Sequence, residues 1–296
     1  MEEITELSPQ SPREREHADN ISVSEVLRSP DSRILINDAL FSEYDIEFSP
    51  ERATLVAQPE LMQFRGNSGH DVQAYYLEVL SAGGTEKQKR IAAVIKSHNT
   101  SQKAEQEYKN VLKVKKKGIA TPVPILHVSN GDLSYVLFEY DPNLRSADTI
   151  NWDIFTGKEK EEELGKFFQK YASELAKLHK LGIYHHDAQP RNVSYNRNTS
   201  ELTFFDFEAA HVVDDNKHKK PEVHVSHASK ELQKVLWGFC REGIVSTDNG
   251  REGALEDFNR VFLSQYFSSL SAYDSRFSDM QNAVVVLLNR DFRLPG

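Results

Sequence analysis

Apolar and polar positions divide the 296-residue chain into three stretches of different texture. Residues 1 to about 33 are rich in Ser, Pro, Glu and Arg and have no apolar period, the pattern of a disordered tail. Ordered chain is expected from near Ile34. From there to about Asp141 the pattern is mainly that of strands. VQAYYLEVL (72–80) and RIAAVIK (90–96) are strand-like runs separated by the turn-rich SAGGTEK, as in a hairpin. The spacing then predicts a helix over Gln102–Lys117, with Glu107, Val111 and Val114 at i, i+4 and i+7 and with Tyr108 and Leu112 beside them. PILHV and LSYVLFEY flank Ser-Asn-Gly-Asp, a second hairpin with its turn at Asn130 and Gly131.

Beyond Asp141 the period changes to that of helices. Leu164, Phe168, Tyr171, Leu175 and Leu178 keep one face of a long helix that Gly182 ends. NVSYN and LTFFDF are short strands around the polar turn RNTSE. From about Ala228 the chain again reads as helices, carrying Leu232, Val235, Leu236, Phe258, Val261, Phe262, Tyr266 and Val284 to Leu288. Strands first and helices afterwards imply an α+β chain of two lobes, divided as a tail over 1–33, a strand-rich lobe over 34–141 and a helical lobe over 142–296.

Composition narrows the function classes. The net charge of -9 opposes the counterion release that drives nonspecific nucleic-acid binding, so no nucleic-acid partner is expected. The basic run KVKKKG (113–118) fits the C-terminal turn of a helix, whose dipole favours cations, with Gly118 as the stop. No apolar run approaches the roughly 20 residues that span a bilayer. The acidic, polar start has no signal-like apolar core, and the single cysteine, Cys240, excludes an internal disulfide. Together these favour a reducing, cytoplasmic setting. Histidines at 179, 185, 186, 211, 218, 224 and 227 match no compact zinc spacing.

The chemistry concentrates in LAKLHKLGIYHHDAQPRNVSYNRNTSELTFFDFEAAH. A long helix ends, a loop carries His186, Asp187 and Asn192, and a strand pair finishes at Asp206 and Phe207. Phosphoryl transfer needs one carboxylate to take the acceptor proton, and a second carboxylate with an amide oxygen to hold magnesium. The stretch resembles the catalytic loop of protein kinases, His-x-Asp with Asn five residues on, and their metal-binding Asp-Phe-Gly, written here Asp206-Phe207-Glu208. The resemblance implies Asp187 as base, Asn192 and Asp206 as magnesium ligands, and ATP and magnesium as the required small molecules. Lys96, at the end of AAVIK, then looks like the strand lysine on the nucleotide phosphates. Glu107 is its ion-pair partner; the rival Glu105 lies about 200° away around the helix. VLFEYDPN (136–143), including Glu139, looks like the segment whose backbone faces adenine. Gly66 and Gly69 in RGNSGHDVQAYY stand where a phosphate-covering loop would be, without its usual three-glycine spacing, and a plain turn is the alternative. EYKNVLKVKKKGIATPVPI looks particularly like RIO-type and related atypical kinases.

The departures are informative. His186 stands where protein kinases have Arg, and Gln189 where they have Lys. Gln at that place is similar to choline-kinase-type enzymes, and no Ala-Pro-Glu follows Asp206. Only 90 residues follow Asp206, which implies the minimal helical lobe shared by RIO, lipopolysaccharide and aminoglycoside/choline kinases. The acceptor hydroxyl is left open among a small molecule, a glycan and a protein Ser or Thr. A pseudokinase scaffold that binds without turnover, and an unrelated α+β protein with chance motifs, are the competing readings.

Overall fold

The structure is a computed structural model that describes residues 25–46, 48–50, 53–57, 73–80, 88–131, 133–142, 144, 146–150, 157–213, 221–273 and 281–294. Two compact units emerge. One takes the chain to Tyr108 together with Pro124–Tyr140, and the other takes Lys109–Val123 and Asp141 onward. The fold is α+β, with strands gathered in the first unit and helices in the second.

Six strands form the first unit's antiparallel sheet. They are β1 (Arg33–Ile36), β2 (Ala53–Ala57), β3 (Gln73–Leu80), β4 (Gln88–His98), β5 (Pro124–Asn130) and β6 (Leu133–Glu139), in the order β1-β5-β6-β4-β3-β2. Alternation builds its core: Tyr75, Leu77 and Val79 of β3 are buried on one face, as are Ile91 and Ala93 of β4. The β3–β4 register sets Tyr75 opposite Ala93, and β4 pairs with β6 through Lys96 opposite Val136. The hairpin expected at Asn130 and Gly131 is the β5–β6 connection, with Gly131 at φ +57°. A short helix, α1 (Asp38–Glu43), follows β1. Ordered chain is already present ahead of Ile34: residues 25–28 are helical, with Val26 and Leu27 buried.

Helix α2 (Ser101–Lys116) opens with the Thr100 hydroxyl accepting from the Lys103 amide at 3.3 Å. Ala104, Glu107, Tyr108, Val111 and Val114 form its buried stripe. Lys113, Lys115 and Lys116 occupy its last turn, and Gly118, at φ +72°, stops it. The division between units falls within this helix.

In the second unit, α3 (Gly157–Lys180) buries Phe167, Phe168, Tyr171, Leu175 and Leu178. Phe239 and Phe262 meet Phe168 and Tyr171 edge-on at ring separations of 5.1–6.4 Å, an arrangement that suits the aromatic quadrupoles. After α3 come β7 (Ile183–Tyr184), β8 (Val193–Asn196), β9 (Glu201–Phe204) and β10 (His211–Val212), paired as β7–β10 and β8–β9. Then follow α4 (Pro221–Arg241), α5 (Gly250–Phe258), a π-helical turn over Asn259–Leu263, α6 (Ser264–Tyr273) and α7 (Gln281–Asp291). α6 packs on α3, and α7 on α4. Cys240 is buried and its thiol is pushed up to about 11 by that burial, the behaviour of a packing residue. Among the described residues no helix is long and apolar enough to cross a membrane.

Candidate functional site

The first unit supplies an ion-pair cluster. Strand alternation puts Lys96 and His98 on the same face of β4, two residues apart. The Lys96 ammonium lies 3.0 Å from Glu107 Oε1 on α2, and His98 Nε2 lies 2.8 Å from Glu107 Oε2. Glu107 is thus buried between two cationic or cation-capable partners, while Lys96 keeps 31% of its side chain exposed. Glu105 is committed elsewhere, with both carboxylate oxygens on Arg33 at 2.8 and 3.0 Å. At the end of β6 the Glu139 carboxylate accepts from the Tyr44 hydroxyl, which that bond raises to about 12. The next amide, Tyr140, donates to the Ala92 carbonyl at 2.8 Å. Gly66 and Gly69 lie outside the described residues.

The second unit holds the loop that carries Asp187. Its carboxylate is fixed from three directions: Gln189 Nε2 donates to Oδ1 at 2.5 Å, Arg191 Nη2 to Oδ2 at 3.0 Å and Asn192 Nδ2 to Oδ2 at 2.8 Å. Asn192 Nδ2 also donates to the Asp187 carbonyl at 2.9 Å. An amide whose nitrogen faces two oxygens has its flip fixed by that network, so its oxygen is the group it can offer to a cation. The Tyr171 hydroxyl of α3 donates to the Ala188 carbonyl and ties the loop to the helix before it.

Asp206 is placed by its predecessor. The Phe205 amide donates to the Asn192 carbonyl at 3.1 Å, and the Phe205 carbonyl faces His185 Nε2 at 2.9 Å. Asp206 itself is left-handed, at φ 65° and ψ 61°, and caps a 3₁₀ turn over Phe207–Ala209. From α2, Asn110 Nδ2 donates to the carbonyls of Phe207 and Ala210 at 3.1 and 3.0 Å, so that turn is held on its far side as well. His186, immediately before Asp187, is also left-handed at φ 62°. Each such non-glycine residue costs on the order of 1 kcal/mol and persists only where its surroundings enforce it. An amide oxygen on Asn192 and a carboxylate on Asp206 are the hard donors that magnesium takes together with waters and phosphate. Among the described residues no group of three or more His, Cys, Asp or Glu side chains is placed to hold a metal ion.

What enforces the loop is a helix in which the sequence marked no motif. Along α4, His227, Glu231, Lys234 and Gly238 recur at spacings of four, three and four, one face of a helix. His227 Nδ1 lies 3.1 Å from His186 Nε2. Glu231 Oε1 accepts from the His185 amide at 3.2 Å, and its Oε2 meets His179 Nε2 of α3 at 3.0 Å. Lys234 Nζ stands 3.9 Å from Asp187 Oδ1. A Cβ added to Gly238 would sit 2.7 Å from Pro190 Cδ, so only glycine allows this approach. Burial alone would raise the fully buried Glu231 carboxyl, but the facing histidines, His179 foremost, hold it below its ordinary value.

The histidines therefore form a structural cluster around Tyr184. His227 stacks on Tyr184 at 4.7 Å and on His211 at 4.9 Å. His186 is lowered to about 4, chiefly by burial and also by His227, His211 and His179, against the opposing pull of Glu231. It is therefore neutral near pH 7. Arg191, Glu231, Lys234, Gly238 and His98 went unmarked in the sequence. The four-three-four run of His, Glu, Lys and Gly is the signal that could have found three of them, Glu231, Lys234 and Gly238.

No family model matches the chain, and no curated protein matches its sequence. Among solved structures it is similar to WaaP in complex with acyl carrier protein, at 14% identity and a TM-score of 0.45, over 86% of this chain and 99% of that one. A likeness of that size assigns no activity to this chain.

Proposed function

We propose that this chain is an ATP- and magnesium-dependent phosphotransferase of the protein-kinase-like kind, acting on a hydroxyl of a small molecule, a glycan or a protein Ser or Thr. The observation that carries the reading is the restrained Asp187 carboxylate, bonded to Asn192, in a loop whose strained neighbour His186 and the likewise strained Asp206 are both held by surrounding contacts. An ordinary surface loop has no reason to keep a carboxylate under three donors and two left-handed non-glycine residues nearby.

The roles follow from the chemistry of each group. Asp187 orients the acceptor hydroxyl and takes its proton. Gln189 and Arg191 keep the carboxylate from rotating, so the cost of alignment is met before substrate binds. Asn192, with its nitrogen on Asp187, would hold magnesium together with the Asp206 carboxylate. Magnesium, when bound, neutralises phosphate charge. Lys96, steadied by Glu107 at 3.0 Å, serves the nucleotide phosphates through its ammonium donors. Catalysis is mainly positioning and charge stabilisation.

The test uses two variants. Asp187→Ala is expected to abolish transfer and keep nucleotide binding, whereas Asp206→Ala is expected to remove the magnesium dependence of binding. Near-normal turnover of Asp187→Ala would overturn the base assignment. Full magnesium-dependent nucleotide binding with no turnover of the unaltered protein on any hydroxyl would move the chain to the scaffold reading.

A further inference from the structure

Four α4 residues meet the loop around Asp187, and three of them have a clear structural task. His227 braces His186, Glu231 accepts from the His185 amide, and Gly238 makes room for Gln189 and Pro190. Lys234 is different. Its ammonium is 3.9 Å from Asp187 Oδ1, within ion-pair range but beyond hydrogen-bond length, and 53% of its side chain is exposed. A pair so exposed adds little to stability. The close approach at Gly238, one helical turn further on, nonetheless fixes where Lys234 emerges over the loop.

Transfer of a phosphoryl group spreads negative charge over three equatorial oxygens, and fixed cations there lower the barrier. Within the loop, the side chain two residues after Asp187 is the uncharged Gln189, spent on Oδ1, and the Arg191 guanidinium is bonded to Oδ2. We propose that Lys234 is the cation that meets the transferred phosphoryl group, delivered from α4 to the acceptor side of Asp187. This rests on the phosphotransferase reading above and deepens it. In the step, the acceptor oxygen forms a bond to the terminal phosphorus of the nucleoside triphosphate, and the bond to the bridging oxygen breaks with its electron pair leaving on the diphosphate. The acceptor proton passes to Asp187, and Lys234 keeps its own protons throughout. A hydroxyl on Asp187 stands about 2.7 Å from the carboxylate, so phosphoryl oxygens fall within the sweep of a four-carbon side chain carrying three rotatable donors.

The test separates this inference from the reading it rests on by measuring ligands that need no acceptor. Calorimetry would compare magnesium-ADP alone with magnesium-ADP plus aluminium fluoride, which mimics the phosphoryl group in flight, for the unaltered protein, Lys234→Ala and Lys234→Arg. Lys234→Ala is expected to bind magnesium-ADP within about twofold of the unaltered protein and to lose roughly tenfold or more on the fluoride complex, with Lys234→Arg restoring most of it. A helix-stabilising role alone would move both ligands together. Equal fluoride binding in Lys234→Ala would overturn the role of Lys234 and leave the phosphotransferase reading standing. Failure of the unaltered protein to bind magnesium-ADP at all would overturn both.

Discussion

Replacing Glu231 is the sharpest probe of how the fold holds its candidate catalytic loop. This carboxylate is fully buried and serves two partners, the His179 ring at 3.0 Å and the His185 amide at 3.2 Å. Glu231→Ala leaves both without their acceptor, at about 1–3 kcal/mol each. Together that is about 2–6 kcal/mol, centred on the roughly 3–5 kcal/mol for removing one member of a buried pair. Glu231→Gln keeps an oxygen for the His185 amide and is expected to lose only about 1–2 kcal/mol. Urea unfolding at pH 7, followed by far-ultraviolet circular dichroism, would read both as shifts of midpoint at unchanged slope. Adding His179→Ala to Glu231→Ala should cost less than the sum of the single changes, since the two share one interaction. A loss below about 1 kcal/mol for Glu231→Ala would refute the reasoning, because it would mean that His179 and the His185 amide find other partners at no cost.

Two further outcomes follow from the same helix face. Gly238→Ala puts a Cβ 2.7 Å from Pro190 Cδ and 3.2 Å from Gln189 Cβ; it should lose about 1–3 kcal/mol from overpacking and, by displacing the loop, cost more turnover than its stability predicts. His186 faces Tyr184, His211, His227, His179 and Glu231 and is lowered from 6.5 to about 4. The unfolded chain therefore binds the extra proton between those values, so stability is fully present above about pH 6.5 and is lost as the pH falls toward 4. After allowance for partial exposure the loss is on the order of 2 kcal/mol. His186→Asn, which tolerates the left-handed backbone, should flatten the pH dependence of the urea midpoint over that window; an unchanged slope would contradict the assignment.

Much of this was legible where apolar periodicity or a chemical spacing carried the signal. The seven-residue pattern from Leu164 to Leu178 marked α3, the strand-like runs on either side of SAGGTEK marked β3 and β4, and the His-x-Asp spacing marked the loop of Asp187 and Asn192. Lys96 could be matched to Glu107 over Glu105 because helical geometry turns Glu105 away, and in the structure Arg33 takes it. The start of α4 was not legible. It was expected near Ala228 because its first turns bury His224 and half-bury His227 in place of aliphatic residues. Polar residues on a packed face look like a solvated one until their partners are known, and the partners of His227, Glu231 and Lys234 lie more than forty residues earlier in the chain. Val26 and Leu27 escaped for a simpler reason, since one helical turn is too short to show a period.

ATP binding through magnesium is read most directly from the melting temperature with and without saturating ATP, each with and without magnesium. Ligand at a hundred times its dissociation constant adds about 2.7 kcal/mol, which for a chain of this size is a rise of roughly 5–10 °C. A rise is expected only when magnesium and ATP are both present, and Asp206→Ala is expected to remove it. A melting temperature indifferent to ATP in both conditions would contradict ATP binding through magnesium.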